Sequence, residues 1–95
     1  LAQANGQIYG VITDEKNEPI INAQVIVTAG GIQQGASITD FDGNYSVKPL
    51  AAGEYTVTVA YSGYKQDIVE GVIVSVDGGT RLNFQLEPAT VEPAP

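Results

Sequence analysis

Along most of this chain apolar and polar residues alternate with a period of two, the pattern of strands that bury one face and wet the other. From Gly6 to Thr13, Ile8, Gly10 and Ile12 share one side while Gln7, Tyr9 and Val11 share the other. Asp14-Glu15-Lys16-Asn17-Glu18-Pro19 breaks that run, because charged turn formers lead into a proline that cannot donate to a ladder. A hairpin-like turn is predicted there. The β-branched stretch Ile20 to Thr28 predicts a second strand, with Ala23, Val25 and Val27 on one face and Asn22, Gln24, Ile26 and Thr28 on the other. Gly30-Gly31 stops it, and Gln33 to Thr39 predicts a weaker strand, polar enough for a sheet edge.

The acidic turn Thr39-Asp40-Phe41-Asp42-Gly43-Asn44-Tyr45-Ser46 starts the second half. Tyr45 and Val47 then alternate with Ser46 and Lys48 until Pro49 closes a short strand. Glu54 to Tyr61 alternates most cleanly, with Tyr55, Val57, Val59 and Tyr61 on one side, and predicts a central strand. Tyr64 to Val76 is long for one strand, and Glu70-Gly71 predicts a bulge or a break within it. Asp77-Gly78-Gly79 predicts a hairpin into a final strand, Thr80 to Leu86, with Leu82, Phe84 and Leu86 pointing inward. Seven short strands and no amphipathic helical stretch predict an all-β, antiparallel, Greek-key-type sandwich over residues 6–87. Residues 1–5 are expected to be a flexible N-terminal segment, and the proline-rich residues 88–95 a linker or tail.

Composition narrows the function classes. The 95 residues and 43% hydrophobic content suit one small domain with a single core. Eleven acidic against four basic residues give a net charge of −7, which repels nucleic-acid phosphates and anionic membranes. The chain has no His, so the commonest neutral-pH proton shuttle and zinc ligand are both missing. It has no Cys either, which removes disulfides and thiolate sites and leaves the redox compartment open. No apolar run approaches the roughly 20 residues of a membrane helix. The opening Leu1-Ala2-Gln3-Ala4-Asn5 contains a small-x-small triplet of the kind found at the end of a secretory signal.

Several landmarks fall in a telling order: Gly10-Val11-Ile12-Thr13-Asp14, Glu18-Pro19-Ile20-Ile21-Asn22-Ala23-Gln24-Val25, Thr39-Asp40-Phe41-Asp42-Gly43-Asn44-Tyr45, Leu50-Ala51-Ala52-Gly53-Glu54-Tyr55-Thr56-Val57 and Gly63-Tyr64. Together they resemble the carboxypeptidase regulatory-like domain family over about residues 6 to 87. The resemblance implies a transthyretin-like (prealbumin-like) sandwich and a non-catalytic module attached to something larger. Such modules accompany metallocarboxypeptidases, secreted hydrolases and adhesins, and form N-terminal extensions of TonB-dependent outer-membrane receptors. Gly43 suits a turn position that side chains resist, Leu50 can plug one end of the sandwich, and Gly53 can bend the chain before Tyr55.

Candidate chemistry is sparse. Asp40, Asp42 and Asn44 place oxygen-bearing side chains at alternate positions, as a calcium loop begins. The pattern then departs: Gly43 precedes Asn44, and no Glu follows before Glu54. Carboxylates capping turn amides are the simpler reading. A Lys–Asn isopeptide cross-link, known from related surface-fibre domains, would have to use Lys16, Lys48 or Lys65 with Glu54 and Asn83, and the first strand has no lysine. A transthyretin-fold enzyme that opens a purine-derived ring implies catalytic His and Arg, whereas Arg81 is the sole arginine here. Asp67 and Glu70, three apart in a strand, tend to opposite sides, which disfavours a glycosidase pair. Tyr45, Tyr55 and Tyr61 run in phase with core valines, so Tyr9 and Tyr64 are the tyrosines free to stack on a sugar.

The expectation is therefore a structural or interaction module of a cell-envelope or secreted protein, without cofactor. Its partners would be neighbouring domains or another envelope protein, not nucleic acid or a membrane interior. A small carbohydrate-binding module is the alternative. The expected location is extracytoplasmic: periplasmic, outer-membrane-associated or secreted.

Overall fold

A computed structural model describes residues 5–89. The strands are β1 (Gly6–Thr13), β2 (Gln24–Ala29), β3 (Ile32–Ile38), β4 (Asn44–Leu50), β5 (Gly53–Ala60), β6 (Asp67–Val74), β7 (Gly79–Arg81) and β8 (Phe84–Gln85). They form two facing sheets. One has the order β4-β1-β7, with β8 also on β1, and the other has the order β3-β2-β5-β6. Among the described residues there is no helix.

Alternation sets which residues meet between the sheets. Ile8 and Ile12 from β1 face Val25 and Val27 from β2 and Val57 and Val59 from β5, all fully buried. Val74, Phe84 and Leu86 complete the middle, and Leu50 is buried in the same core as expected of a plug. The central position of β5 follows from pairing β2 on one side and β6 on the other. β3 is the predicted edge. The predicted bulge is also present: β5 pairs β6 out of step between Tyr55 and Val57, where Glu70 and Gly71 oppose a single residue.

Six sequence expectations need correction. The last strand pairs β1 in parallel, so the sandwich is not wholly antiparallel. Its two pieces, β7 and β8, lie on one line, because every partner from Gln7↔Gly79 to Thr13↔Gln85 keeps the same offset along the chain. That interruption makes the strand count eight instead of seven. Asp77-Gly78-Gly79 makes no hairpin, since β6 and β7 belong to opposite sheets and the turn carries the chain across the sandwich. Tyr61 lies past the end of β5 and is 37% exposed, so it leaves the core despite its phase. The second strand begins at Gln24, because Ile20 to Ala23 turn from one sheet to the other, held by buried Thr39. Pro49 does not close β4, which runs on to Leu50 along the sheet edge with a cis Lys48–Pro49 peptide.

The interruption between β7 and β8 has its own supports. Leu82 N donates to Tyr9 O (2.8 Å), and the Asn83 side-chain carbonyl accepts from Val11 N (2.9 Å), standing in for a missing ladder carbonyl. The Tyr45 hydroxyl donates to Leu82 O. Gly10 makes room: a Cβ there would sit 2.1 Å from Leu82 O. Of the expected terminal segments, residues 1–4 and 90–95 lie outside the described residues, including Ala2-Gln3-Ala4, Pro93 and Pro95. Pro88 bridges to Tyr64, and Ala89 N donates to Gly63 O (2.9 Å).

Candidate functional site

The acidic turn is built around Asp40. Its Oδ1 accepts from Asp42 N and Asn44 N, both at 2.9 Å, and Gly43 N donates to Asp40 O (3.0 Å). Asp14 does the same in the first turn, accepting from Lys16 N (2.8 Å) and Glu18 N (2.9 Å). Both carboxylates thus serve local amides, the ordinary work of Asp in turns. Gly43 is buried at φ 76°, and a Cβ there would meet Ile12 O at 2.6 Å, so both conformation and space require glycine. Asp42, Asn44 and Phe41 are exposed on the turn. Among the described residues no cluster of three or more acidic side chains is arranged to hold a metal.

The two predicted stacking tyrosines lie over different clefts. Tyr64, half-buried, donates its hydroxyl to Glu15 Oε1 (3.3 Å), and its ring lies 5.8 Å from that of Tyr61, tilted by 46°. Partial burial, and then the adjacent Glu15 carboxylate, raise the Tyr64 pKa above its ordinary value. Around the tyrosine pair a cleft of about 480 Å³ is lined by the amides of Asn22, Gln24 and Gln66, with no charged residue on its wall. Tyr61, assigned to the core from its phase, is thus half of an exposed aromatic pair. The signal that could have found it is Ser62-Gly63, which ends the strand just beyond it.

Tyr9 sits on the outer face of the other sheet. Its register neighbours are Ser46 on β4 and Arg81 on β7, and the Arg81 guanidinium carbon lies 5.6 Å from its ring centroid. The ring edge passes so close to Gly79 that a Cβ there would lie 2.4 Å from Tyr9 Cε1. Gln7, Asn44, Ser46 and Lys48 share this surface with Tyr9 and Arg81, around a cleft of about 340 Å³. Gln7 and Lys48 also border a second cleft of about 510 Å³ toward Pro49 and Gly78. Tyr45 borders the cleft around Tyr9, and burial raises the pKa of its hydroxyl.

The other residues weighed for chemistry stay apart from these clefts or serve structure. Lys16 and Lys65 are exposed in turns and Glu54 is exposed on β5, while Asn83 caps Val11 N. Asp67 and Glu70 lie on β6, half-buried and exposed respectively. Apart from Tyr45 and Tyr55, whose hydroxyls donate to Leu82 O and Ala51 O, the one buried polar residue among those described is Thr39. It donates to Ile20 O (2.6 Å) and accepts from Ala23 N (2.8 Å).

A mixed β1–β7/β8 pairing, two small facing sheets and turn-capping aspartates define a prealbumin-like sandwich domain. The carboxypeptidase regulatory-like domain profile matches residues 7–87, so the chain belongs to that family. No curated protein matches the chain significantly. Among solved structures it is similar to the Bacillus anthracis TIE protein (TM-score 0.74, 20% identity, 90% of this chain and 17% of that one). It is also similar to a putative carbohydrate binding protein from Bacteroides uniformis (TM-score 0.70, 20% identity, 88% and 42%). A third is the Klebsiella pneumoniae 5-hydroxyisourate hydrolase (TM-score 0.69, 18% identity, 90% and 92%). At these identities the likeness is one of fold. The chain spans less than half the length of the first two.

Proposed function

We propose that this chain is a non-catalytic structural or interaction module of a larger cell-envelope or secreted protein. Its partners are neighbouring domains of that protein or another envelope protein, and its place is extracytoplasmic. Within that class, the family resemblance favours an N-terminal extension of a TonB-dependent outer-membrane receptor. The observation that carries the reading is that residues 7–87, the family match, take in nearly the whole two-sheet fold, and the hydroxyls of the buried residues Thr39, Tyr45 and Tyr55 all serve the backbone. A catalytic role has little to draw on: the chain has no His, and among the described residues no carboxylate is buried, Asp14 and Asp40 capping turns. The edge strand β3 carries no charge and exposes Ile32 and Ile38, so it is open to strand addition by a partner.

The test is to delete residues 6–87 from the parent protein and measure its abundance in the envelope, its assembly and its transport or secretion. A loss of assembly or transport with the remainder still folded is the expected result. Unchanged assembly and transport would sink the proposal.

A second reading, a small carbohydrate-binding module, is favoured by the Tyr61–Tyr64 pair with its three flanking amides. Aromatic faces and amides without net charge suit a neutral sugar. Neutral-glycan array binding by the 95-residue chain that Tyr64→Ala abolishes is the expected outcome; an empty array would end this reading.

A further inference from the structure

The outer face of the β4-β1-β7 sheet concentrates positive charge in a chain that is otherwise strongly acidic. Two of the four basic residues, Lys48 and Arg81, line the cleft around Tyr9. Among the described residues no carboxylate lines it, nor does any line the adjoining cleft that shares Gln7 and Lys48. Among the described residues neither cation has an ion-pair partner. Two cations on one surface whose described walls carry no carboxylate mark a place where an anion is favoured.

Arg81 is also held in position. Its guanidinium lies over the Tyr9 ring, and Tyr9 itself is fitted against Gly79, so the planar fork is steadied while its N–H edge stays available. Lys48 lies diagonally across β1. Register places Ser46, Tyr9 and Arg81 in one row, and Lys48 is two residues further along β4. Strand spacing and rise then put the Lys48 and Arg81 Cα atoms roughly 12 Å apart, about the length of two sugar rings.

We infer that this groove binds an acidic saccharide, with a carboxylate met by Arg81 and hydroxyls met by Asn44, Ser46 and Gln7. Three features select the class. The amides and the hydroxyl each donate and accept, which matches hydroxyl-rich ligands. The groups that line the groove are side chains standing on the sheet's face, whereas the backbone edge that a peptide would extend lies to the side, along the outer strand β4. The net charge of −7 disfavours a polyphosphate or nucleic acid, which would need more than two cations. The inference does not rest on the Tyr61–Tyr64 cleft, which lies at the other sheet.

The 95-residue chain is titrated calorimetrically with galacturonic acid oligomers of three to five units. The controls are neutral galactose oligomers of the same length and a short polyglutamate. The uronate is expected to bind, with affinity falling as salt rises, and Arg81→Gln to weaken it by about 10-fold or more, the size of a lost charge-assisted bond. Lys48→Gln is expected to weaken it less, and Lys16→Gln, in a turn away from the groove, not at all. Gly79→Ala, which displaces Tyr9 and frees Arg81, should also weaken it. Amide shift mapping on the unaltered chain should centre on Tyr9, Ser46 and Arg81, which guards against a variant that merely misfolds. Absence of uronate binding would overturn the inference, as would equal binding of polyglutamate or shifts centred on Tyr64. Neutral oligomers bound equally well, and indifferent to Arg81→Gln, would overturn it while leaving a glycan-binding module in place.

Discussion

Gly10→Ala tests whether the seam between the first and last strands holds the fold together. Gly10 does not have a positive φ, so alanine is conformationally acceptable there. With no steric conflict, the substitution would stabilise the chain by about 0.4–1 kcal/mol by restricting the unfolded state. The geometry predicts the opposite sign. The added Cβ would lie 2.1 Å from Leu82 O and 2.8 Å from Asn83 Oδ1, and the first of these is backbone that cannot swing away. Moving Leu82–Asn83 outward breaks or weakens Leu82 N to Tyr9 O, Val11 N to Asn83 Oδ1 and Tyr45 OH to Leu82 O. At about 1 kcal/mol each, the loss is about 3 kcal/mol, a large part of the ~5–14 kcal/mol a chain of this size has. For a domain of this length that corresponds to a melting temperature lower by about 12–24 °C. Urea unfolding followed by tyrosine fluorescence, with calorimetry for the midpoint, reads it directly. A Gly10→Ala chain as stable as the parent, or more so, would refute the reasoning. Asn83→Ala provides the scale: it removes one acceptor at an exposed site and should cost about 1 kcal/mol.

Three further outcomes are expected. Thr39→Val keeps the shape but leaves Ala23 N and Ile20 O unpaired in a buried turn, and should lower stability by about 2 kcal/mol in urea melts. The fold keeps Tyr45 protonated, so its pKa is higher folded than unfolded. The folded state therefore holds more protons above the unfolded tyrosine pKa of about 10, and stability falls as pH rises past it. Comparing melts at neutral and strongly alkaline pH, Tyr45→Phe should lose about 1 kcal/mol at neutral pH but show a shallower alkaline decline. For the acidic turn, Asp40→Ala should cost about 1 kcal/mol by removing the shared acceptor of Asp42 N and Asn44 N. Millimolar calcium against chelator should leave the melting temperature unchanged; a rise with calcium would make the turn a metal site.

Local patterning made the core of this fold readable in advance. Ile8, Ile12, Val25, Val27, Val57 and Val59 alternate with polar residues, and all six are fully buried. Gly43 and Glu70-Gly71 were readable because backbone exceptions leave a chemical mark. Sheet membership was not readable, since Asp77-Gly78-Gly79 makes a tight turn whether the chain folds back or crosses over. Tyr61 shows the limit of periodicity, which gives the side a residue faces but not where the opposing sheet ends. At the groove, the sequence marks Tyr9 as an open aromatic, but offers Arg81 only as a lone catalytic arginine and Lys48 only as a cross-linking lysine. Their meeting on one face depends on β7 pairing with β1 across more than seventy intervening positions, a long-range fact no window of sequence contains.

The parallel seam also has a mechanical meaning. Because β1 and the β7/β8 line run the same way, tension applied at Gly6 and Gln85 pulls along the strands in opposite directions. The bonds between them are then loaded together in shear and do not unzip one by one. Rupture under force is set by the unfolding barrier and not by equilibrium stability. A module joined through these two ends would resist stretching well out of proportion to its size, with Asn83 and Tyr45 acting as rivets at the one point where the ladder is broken.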